Sequence, residues 1–273
     1  MYAPYWNLAE SPFQNVPAPR WYYESRSHEE ALARLLFVIE QRRACGLLTG
    51  VSGTGKSLLL QMLVRQARRM QREVATLDMS ESDSADLLWD LAGSLRLAPA
   101  PRQSERDLWR QIQDHLRASQ FAHIPTVILA DQAEHATPAG LATLRRLLQV
   151  SGGNGYVTLI AASRANSGAI SSLRELADLQ VEIEPLTAED VARYIAHRMT
   201  EAGAARTVFQ SSAVDVLYES SHGVPREINR LCDLCLVAAA AHELPIIDGR
   251  IVTAIVHELE LAPTRESRVR VGA

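Results

Sequence analysis

The residues best suited to chemistry lie in one stretch, Leu47-Leu48-Thr49-Gly50-Val51-Ser52-Gly53-Thr54-Gly55-Lys56-Ser57-Leu58. It spells G-x-x-x-x-G-K-S, with an apolar run before it and a helix-forming run after it. Those are the parts of a strand, a phosphate-binding loop and a helix N-terminus. Gly50, Gly53 and Gly55 allow the backbone to turn tightly, so that successive N–H groups of the loop aim at a polyphosphate. Gly50, Ser52, Gly53, Thr54, Gly55, Lys56, Ser57 and Leu58 are therefore the expected nucleotide contacts. Lys56 is expected to reach the β- and γ-phosphates, and the Ser57 hydroxyl to complete the shell of a magnesium ion.

A second chemical group ends the run Thr126-Val127-Ile128-Leu129-Ala130-Asp131. An apolar, β-branched run of this kind belongs in the middle of a parallel sheet. The carboxyl ends of such strands are where open α/β sheets bind their ligands. Asp131 is thereby placed to hold magnesium through water.

Further elements must carry these groups. Gly46 to Thr49 reads as a short buried strand entering the loop, and Ser57 to Gln71 as the helix leaving it. Glu73 to Asp78, Tyr156 to Ala162 (ending at Ser163 and Arg164) and Val181 to Ile183 read as further strands. Helices are expected from Ser27, with Ser27 and Glu30 forming a capping box, and over Asp86 to Leu95, Glu105 to Ala118 and Pro138 to Val150. A turn is expected at Gly152-Gly153-Asn154-Gly155. From Pro185 the pattern becomes all-helical. Thr187 and Asp190 cap a helix reaching about Met199, followed by helices near Ser211 to Ser221, Arg226 to His242 and Asp248 to Leu261. The reading is an α/β P-loop domain, three layers around a parallel sheet, over residues 21–185, then a small helical lid over 186–262. The Pro- and aromatic-rich segment 1–20 is expected to lie extended on the α/β domain, and 263–273 to be a flexible polar tail.

Composition sets the outer limits. The chain has 273 residues, 47% of them apolar, which is ample for a buried core. Its net charge of −4 argues against a protein dominated by a polyanion. Arg65, Arg68, Arg69 and Arg72 nevertheless share one helix face at their spacing, a solvated stripe that also suits nucleic acid. Three cysteines with no secretory leader indicate a reducing, cytoplasmic setting. Cys232 and Cys235 form C-x-x-C inside an apolar helical run, so packing explains them better than zinc or redox chemistry. No apolar run is long enough to span a membrane, and no membrane contact is expected from the chain itself.

Met1-Tyr2, Pro12-Phe13, His28-Glu29-Glu30-Ala31-Leu32, Pro185-Leu186-Thr187, Tyr194-Ile195-Ala196-His197-Arg198 and Gly223-Val224-Pro225-Arg226-Glu227-Ile228-Asn229 add a further signal. Together, in that order, they resemble the AAA+ ATPase domain of the ExeA (general secretion pathway protein A) family, itself similar to the helper ATPases of Mu-type transposition. The resemblance implies ATP and Mg2+ as ligands and a catalytic set containing Lys56, Asp131, Ser163 and Arg226. Ser163 would be the polar sensor at the end of its strand, and Arg226 the lid arginine reaching the γ-phosphate. It also implies a homo-oligomer, ring or filament, and a protein partner in an envelope or secretion assembly. DNA is the alternative partner.

The chain departs from the family at two places. The acidic motif, Asp-Glu-Ala in the family, is Asp131-Gln132-Ala133-Glu134 here. Gln132 can orient a water but cannot accept its proton, a loss of about 10² to 10⁴ in rate. Glu134 is the nearest acid that could substitute. The family's arginine before the last strand is replaced by Leu176-Ala177-Asp178-Leu179-Gln180, leaving Arg174 or Arg164 to stand in. Secure ATP binding with slow hydrolysis is the expectation, with a hydrolysis-deficient scaffold or a DNA-binding helper as alternatives.

Overall fold

Successive side chains of a β-strand point to opposite faces, and in this chain both faces of the sheet are apolar. Of β3 (Thr126–Asp131), Ile128 and Ala130 join one buried cluster while Val127 and Leu129 join another. A sheet with two apolar faces must be covered twice, which dictates three layers. The computed structural model describes residues 2–80, 84–150, 155–165 and 167–261. The expected tail and most of the expected glycine turn lie outside those residues.

The chain divides into two units, Pro17–Glu184 and Met1–Val16 with Pro185–Ala273. The first is the α/β unit. Its elements run α1 (Arg26–Glu40), β1 (Cys45–Gly50), α2 (Lys56–Arg69), β2 (Glu73–Asp78), α3 (Ser84–Ser94), α4 (Glu105–Phe121), β3, α5 (Pro138–Val150), β4 (Val157–Arg164), α6 (Ser171–Arg174) and β5 (Leu179–Ile183). The five strands are all parallel, in the order β2-β3-β4-β1-β5. Leu87, Leu91, Ile112 and Leu144 of α3, α4 and α5 cover one face with Leu47, Leu77 and Leu159. Leu35, Ile39, Leu59 and Leu63 of α1 and α2 cover the other with Leu48, Ile160 and Val181. The strand order places the carboxyl ends of β3, β4 and β1 side by side, the end at which open α/β sheets bind their ligands.

The second unit contains α7 (Ala188–Glu201), α8 (Ser211–Ser221), α9 (Pro225–Ala241) and α10 (Gly249–Leu261). Thr187 caps α7, its hydroxyl accepting from the Asp190 N–H, as its sequence implied. Residues 1–16 cluster with these helices, not with the α/β unit expected to receive them. The physical reason is a set of specific bonds. Trp6 Nε1 donates to Leu236 O at 3.1 Å, the Tyr2 hydroxyl bonds Asp233, and Phe13 meets Phe209 edge to face. Arg198, 3% exposed, gives Nε to Pro12 O at 2.5 Å and Nη2 to Gln14 O at 2.9 Å.

Two local expectations change. The cap of α1 is Ser25, whose hydroxyl accepts from His28 N–H, whereas Ser27 Oγ accepts from the Glu184 N–H. The arginine stripe stops short of Arg72. Gln71 takes a left-handed conformation (φ 57°), the helix ends, and Arg72 Nε is buried without a hydrogen-bond partner. Arg65, Arg68 and Arg69 remain exposed on α2.

Candidate phosphate-binding site

The loop joins β1 to α2, and its glycines are set by space and by backbone conformation. A Cβ on Gly50 would lie 2.7 Å from Ile183 O. Gly55 takes φ +102° as the residue preceding α2, and no side chain caps that helix. The orphan N–H groups of its first turn, at the positive end of the helix dipole, are left for an anion. Lys56 Nζ donates to Gly50 O and Val51 O at 2.9 Å each, and Thr54 Oγ1 donates to Val51 O at 2.9 Å. The loop is thus a closed turn with the ammonium group on it.

Ser57 and Asp131 meet. The Ser57 hydroxyl is close enough to the Asp131 carboxyl to favour its ionised form, which sets the first turn of α2 beside the end of β3. Burial raises the pKa of the Asp131 carboxyl, with Asp78 and Glu134 adding to the rise, while the Ser57 hydroxyl and the bond from the Gln132 N–H oppose it. Asp78 is the in-register partner of Asp131 on β2. The Asp131 carboxylate and the Ser57 hydroxyl are hard oxygen donors of the kind that suit Mg2+, and among the described residues no group of three or more His, Cys, Asp or Glu is placed to hold a metal ion.

The remaining expected residues are distributed around this pair. Gln132 is left-handed (φ 57°), and its Nε2 donates to Asp78 Oδ1 at 3.0 Å. Glu134 is engaged by Arg164, through the backbone N–H at 3.2 Å and Nε at 3.1 Å. One charged pair therefore ties together the candidate substitute acid and one of the two candidate arginines. Ser163 is fully buried beside Thr49 of β1, and its hydroxyl donates to Arg164 O at 3.3 Å. Arg174 belongs to α6, where its carbonyl accepts from Gln180 Nε2.

Arg226 sits in the first turn of α9 in the helical unit, next to Pro225. The turn before it is tightly set. Gly223 has φ +73°, a Cβ there would meet Leu186 O at 2.0 Å, and Leu186 N–H donates to Gly223 O at 2.8 Å. Asn15 Nδ2 donates to Arg226 O at 3.4 Å, while Asn229 bonds both Asn15 and the Tyr194 hydroxyl. The scattered motifs Pro-Leu-Thr, Tyr-Ile-Ala-His-Arg and Gly-Val-Pro-Arg-Glu-Ile-Asn thus become one packed structure. Cys232 and Cys235 lie on the buried face of α9 as free thiols, and burial pushes Cys235 up to about 12.

Sequence reasoning missed His28. It is buried under the loop, Nε2 lying 2.8 Å from Thr54 O and Nδ1 2.7 Å from Ser25 Oγ. Its only signal was membership of His28-Glu29-Glu30-Ala31-Leu32, which reads as an ordinary helix start.

The sequence profile of the AAA domain matches residues 39–167. General secretion pathway protein A of Aeromonas hydrophila is 32% identical over 248 residues, 88% of this chain and 45% of that protein. The chain therefore spans about half the length of this relative. Among solved structures, Cdc6p from Pyrobaculum aerophilum is similar in fold, with a TM-score of 0.70 at 18% identity, over 87% of this chain and 67% of that one. Drosophila ORC bound to DNA gives 0.69 at 15% identity, over 97% and 70%. No helix among the described residues is long and apolar enough to cross a membrane.

Proposed function

We propose that this chain, which belongs to the AAA+ ATPases of the general secretion pathway protein A type, binds Mg-ATP in the loop between β1 and α2 and couples it to conformational change or assembly. The observation that carries the reading is the loop itself, whose glycines are set by space and φ, whose helix N-terminus has no side-chain cap, and on which the Lys56 ammonium lies. Backbone N–H groups and Lys56 hold the phosphates, and Ser57 and Asp131 hold the metal. Bound Mg2+ would neutralise the negative charge of the polyphosphate. Arg226 is assigned to the γ-phosphate by resemblance alone.

Hydrolysis is proposed to be slow. Gln132 can hold a water through its amide oxygen while its Nε2 is committed to Asp78. Glu134, the nearest acid that could serve as base, is paired with Arg164. The same two observations favour a second reading, an ATP-binding scaffold with vestigial turnover. Three partners are proposed: further copies of the chain in a homo-oligomer, a protein of an envelope or secretion assembly, and DNA at Arg65, Arg68 and Arg69. The name of the Aeromonas relative motivates the second of these, and the DNA bound by Drosophila ORC motivates the third.

ATP turnover measured against protein concentration, with Lys56→Ala as the blank, tests the reading. A rate per subunit that climbs with concentration supports shared sites and assembly. Nucleotide binding without turnover at any concentration supports the scaffold, and no binding at all ends both readings.

A further inference from the structure

We propose that His28 is a positioning residue for nucleotide, one that fixes the peptide between Thr54 and Gly55 so that the Gly55 N–H faces the phosphates. The inference rests on the nucleotide-binding reading of the loop.

The protonation pattern follows from the partners. His28 is 6% exposed, with Nε2 at 2.8 Å from Thr54 O and Nδ1 at 2.7 Å from Ser25 Oγ. A carbonyl oxygen only accepts, so Nε2 carries the proton and donates it. Nδ1 is then the acceptor for the Ser25 hydroxyl. Both ring nitrogens are engaged, and in the neutral ring the tautomer is set by these neighbours.

What the bond does follows from peptide geometry. In a trans peptide the C=O and the next N–H point in opposite directions across one rigid plane. Drawing Thr54 O down onto His28 therefore turns the Gly55 N–H to the other side, the side away from α1. On its Gly55 side this peptide meets little resistance: Gly55 has φ +102°, and glycine occupies mirror-related conformations at similar cost. A peptide in such surroundings flips easily unless its carbonyl is held. The Thr54 side chain, bonded to Val51 O, fixes the position of the residue but not the direction of its carbonyl.

The fit is close. A Cβ on Gly55 would lie 2.9 Å from His28 Nε2, so the bare Cα of Gly55 is what admits the imidazole. The ring is oriented from behind by Tyr22, edge to face at 6.2 Å, and by Ser25, which also caps α1. The start of α1 and the phosphate loop, distant in sequence, are thereby one unit.

Titration with a fluorescent ATP analogue, paired with thermal unfolding of the nucleotide-free protein, tests the proposal in wild type, His28→Ala, His28→Gln and Lys56→Ala. His28→Ala is expected to weaken binding about tenfold, the size of one hydrogen bond and the loss of preorganisation it gives. His28→Gln, which carries an amide N–H to the same region, is expected to stay within about threefold of wild type. Equal loss in Ala and Gln, or unaltered affinity in Ala, overturns the proposal. His28→Met, which fills the volume without a donor, replaces Ala if Ala does not fold. Wild type that binds and Lys56→Ala that does not, alongside His28→Ala that binds normally, removes His28 alone. Wild type that binds no nucleotide removes the loop reading and this inference together.

Discussion

The Ser57 hydroxyl lies close to the Asp131 carboxyl and favours its ionised form, so the first turn of α2 and the end of β3 meet at one polar site. Burial is the largest cause of the raised carboxyl pKa. An acid whose folded pKa lies above its unfolded value binds more protons in the folded state. Folding stability therefore falls as pH rises from the unfolded pKa, about 4, through the folded one. Above that range the ionised Asp131 thus costs stability. Asp131→Asn is expected to raise the melting temperature of the nucleotide-free protein by about 2 °C or more while removing the stabilisation that Mg-ATP confers. Calorimetry with and without Mg-ATP measures both, and a lowered apo melting temperature counts against the assignment.

Gln132→Glu restores a carboxylate where the family has one. It also sets that carboxylate against Asp78, which Gln132 now contacts at 3.0 Å. The like charges repel, which turns the new side chain away from β2. Turnover per subunit is expected to rise by at least about 10²-fold, the lower end of what a positioned base contributes. An unchanged rate counts against Gln132 as the cause of slow turnover and against the scaffold reading that it motivates.

Gly223→Ala meets backbone, not a flexible side chain. Its Cβ would lie 2.0 Å from Leu186 O at a residue with φ +73°. Left-handed strain and the overlap together are expected to cost roughly 3 kcal/mol or more. Urea unfolding followed by far-UV circular dichroism reads this cost, and an unchanged midpoint means the turn can move.

Arg198→Ala strands the Pro12 and Gln14 carbonyls and opens space beneath residues 1–16. The expected loss is about 2–4 kcal/mol, given two bonds from a buried charged donor. Thermolysin should then cleave within residues 1–16 well before the helical unit unfolds. Simultaneous loss of both would mean the segment folds cooperatively with α7 and α9.

Much of the molecule was legible along the chain because the signals were local. β3 read at its observed ends, since a continuous apolar run bounded by polar residues has one good fate in a two-faced sheet, and the half-exposed edge strand β2 read at its ends through its flanking acids. Thr187 read correctly as a cap because its partner, Asp190, is three residues away. Ser27 was the wrong cap because Ser25 offers the same chemistry two residues earlier. Only the fold decides which serine faces the helix and which faces Glu184.

By itself the sequence determined the glycine-rich loop between strand and helix, the parallel sheet and the change to a helical unit at Pro185, because glycine, lysine and apolar periodicity act over a few residues. Tertiary structure alone decided the rest. It put residues 1–16 on α7 and α9 through Arg198, it engaged Glu134 with Arg164, and it set His28 beneath Thr54. Each of these joins groups far apart in the chain, and such pairings are chosen by how buried polar atoms find partners once the layers have packed.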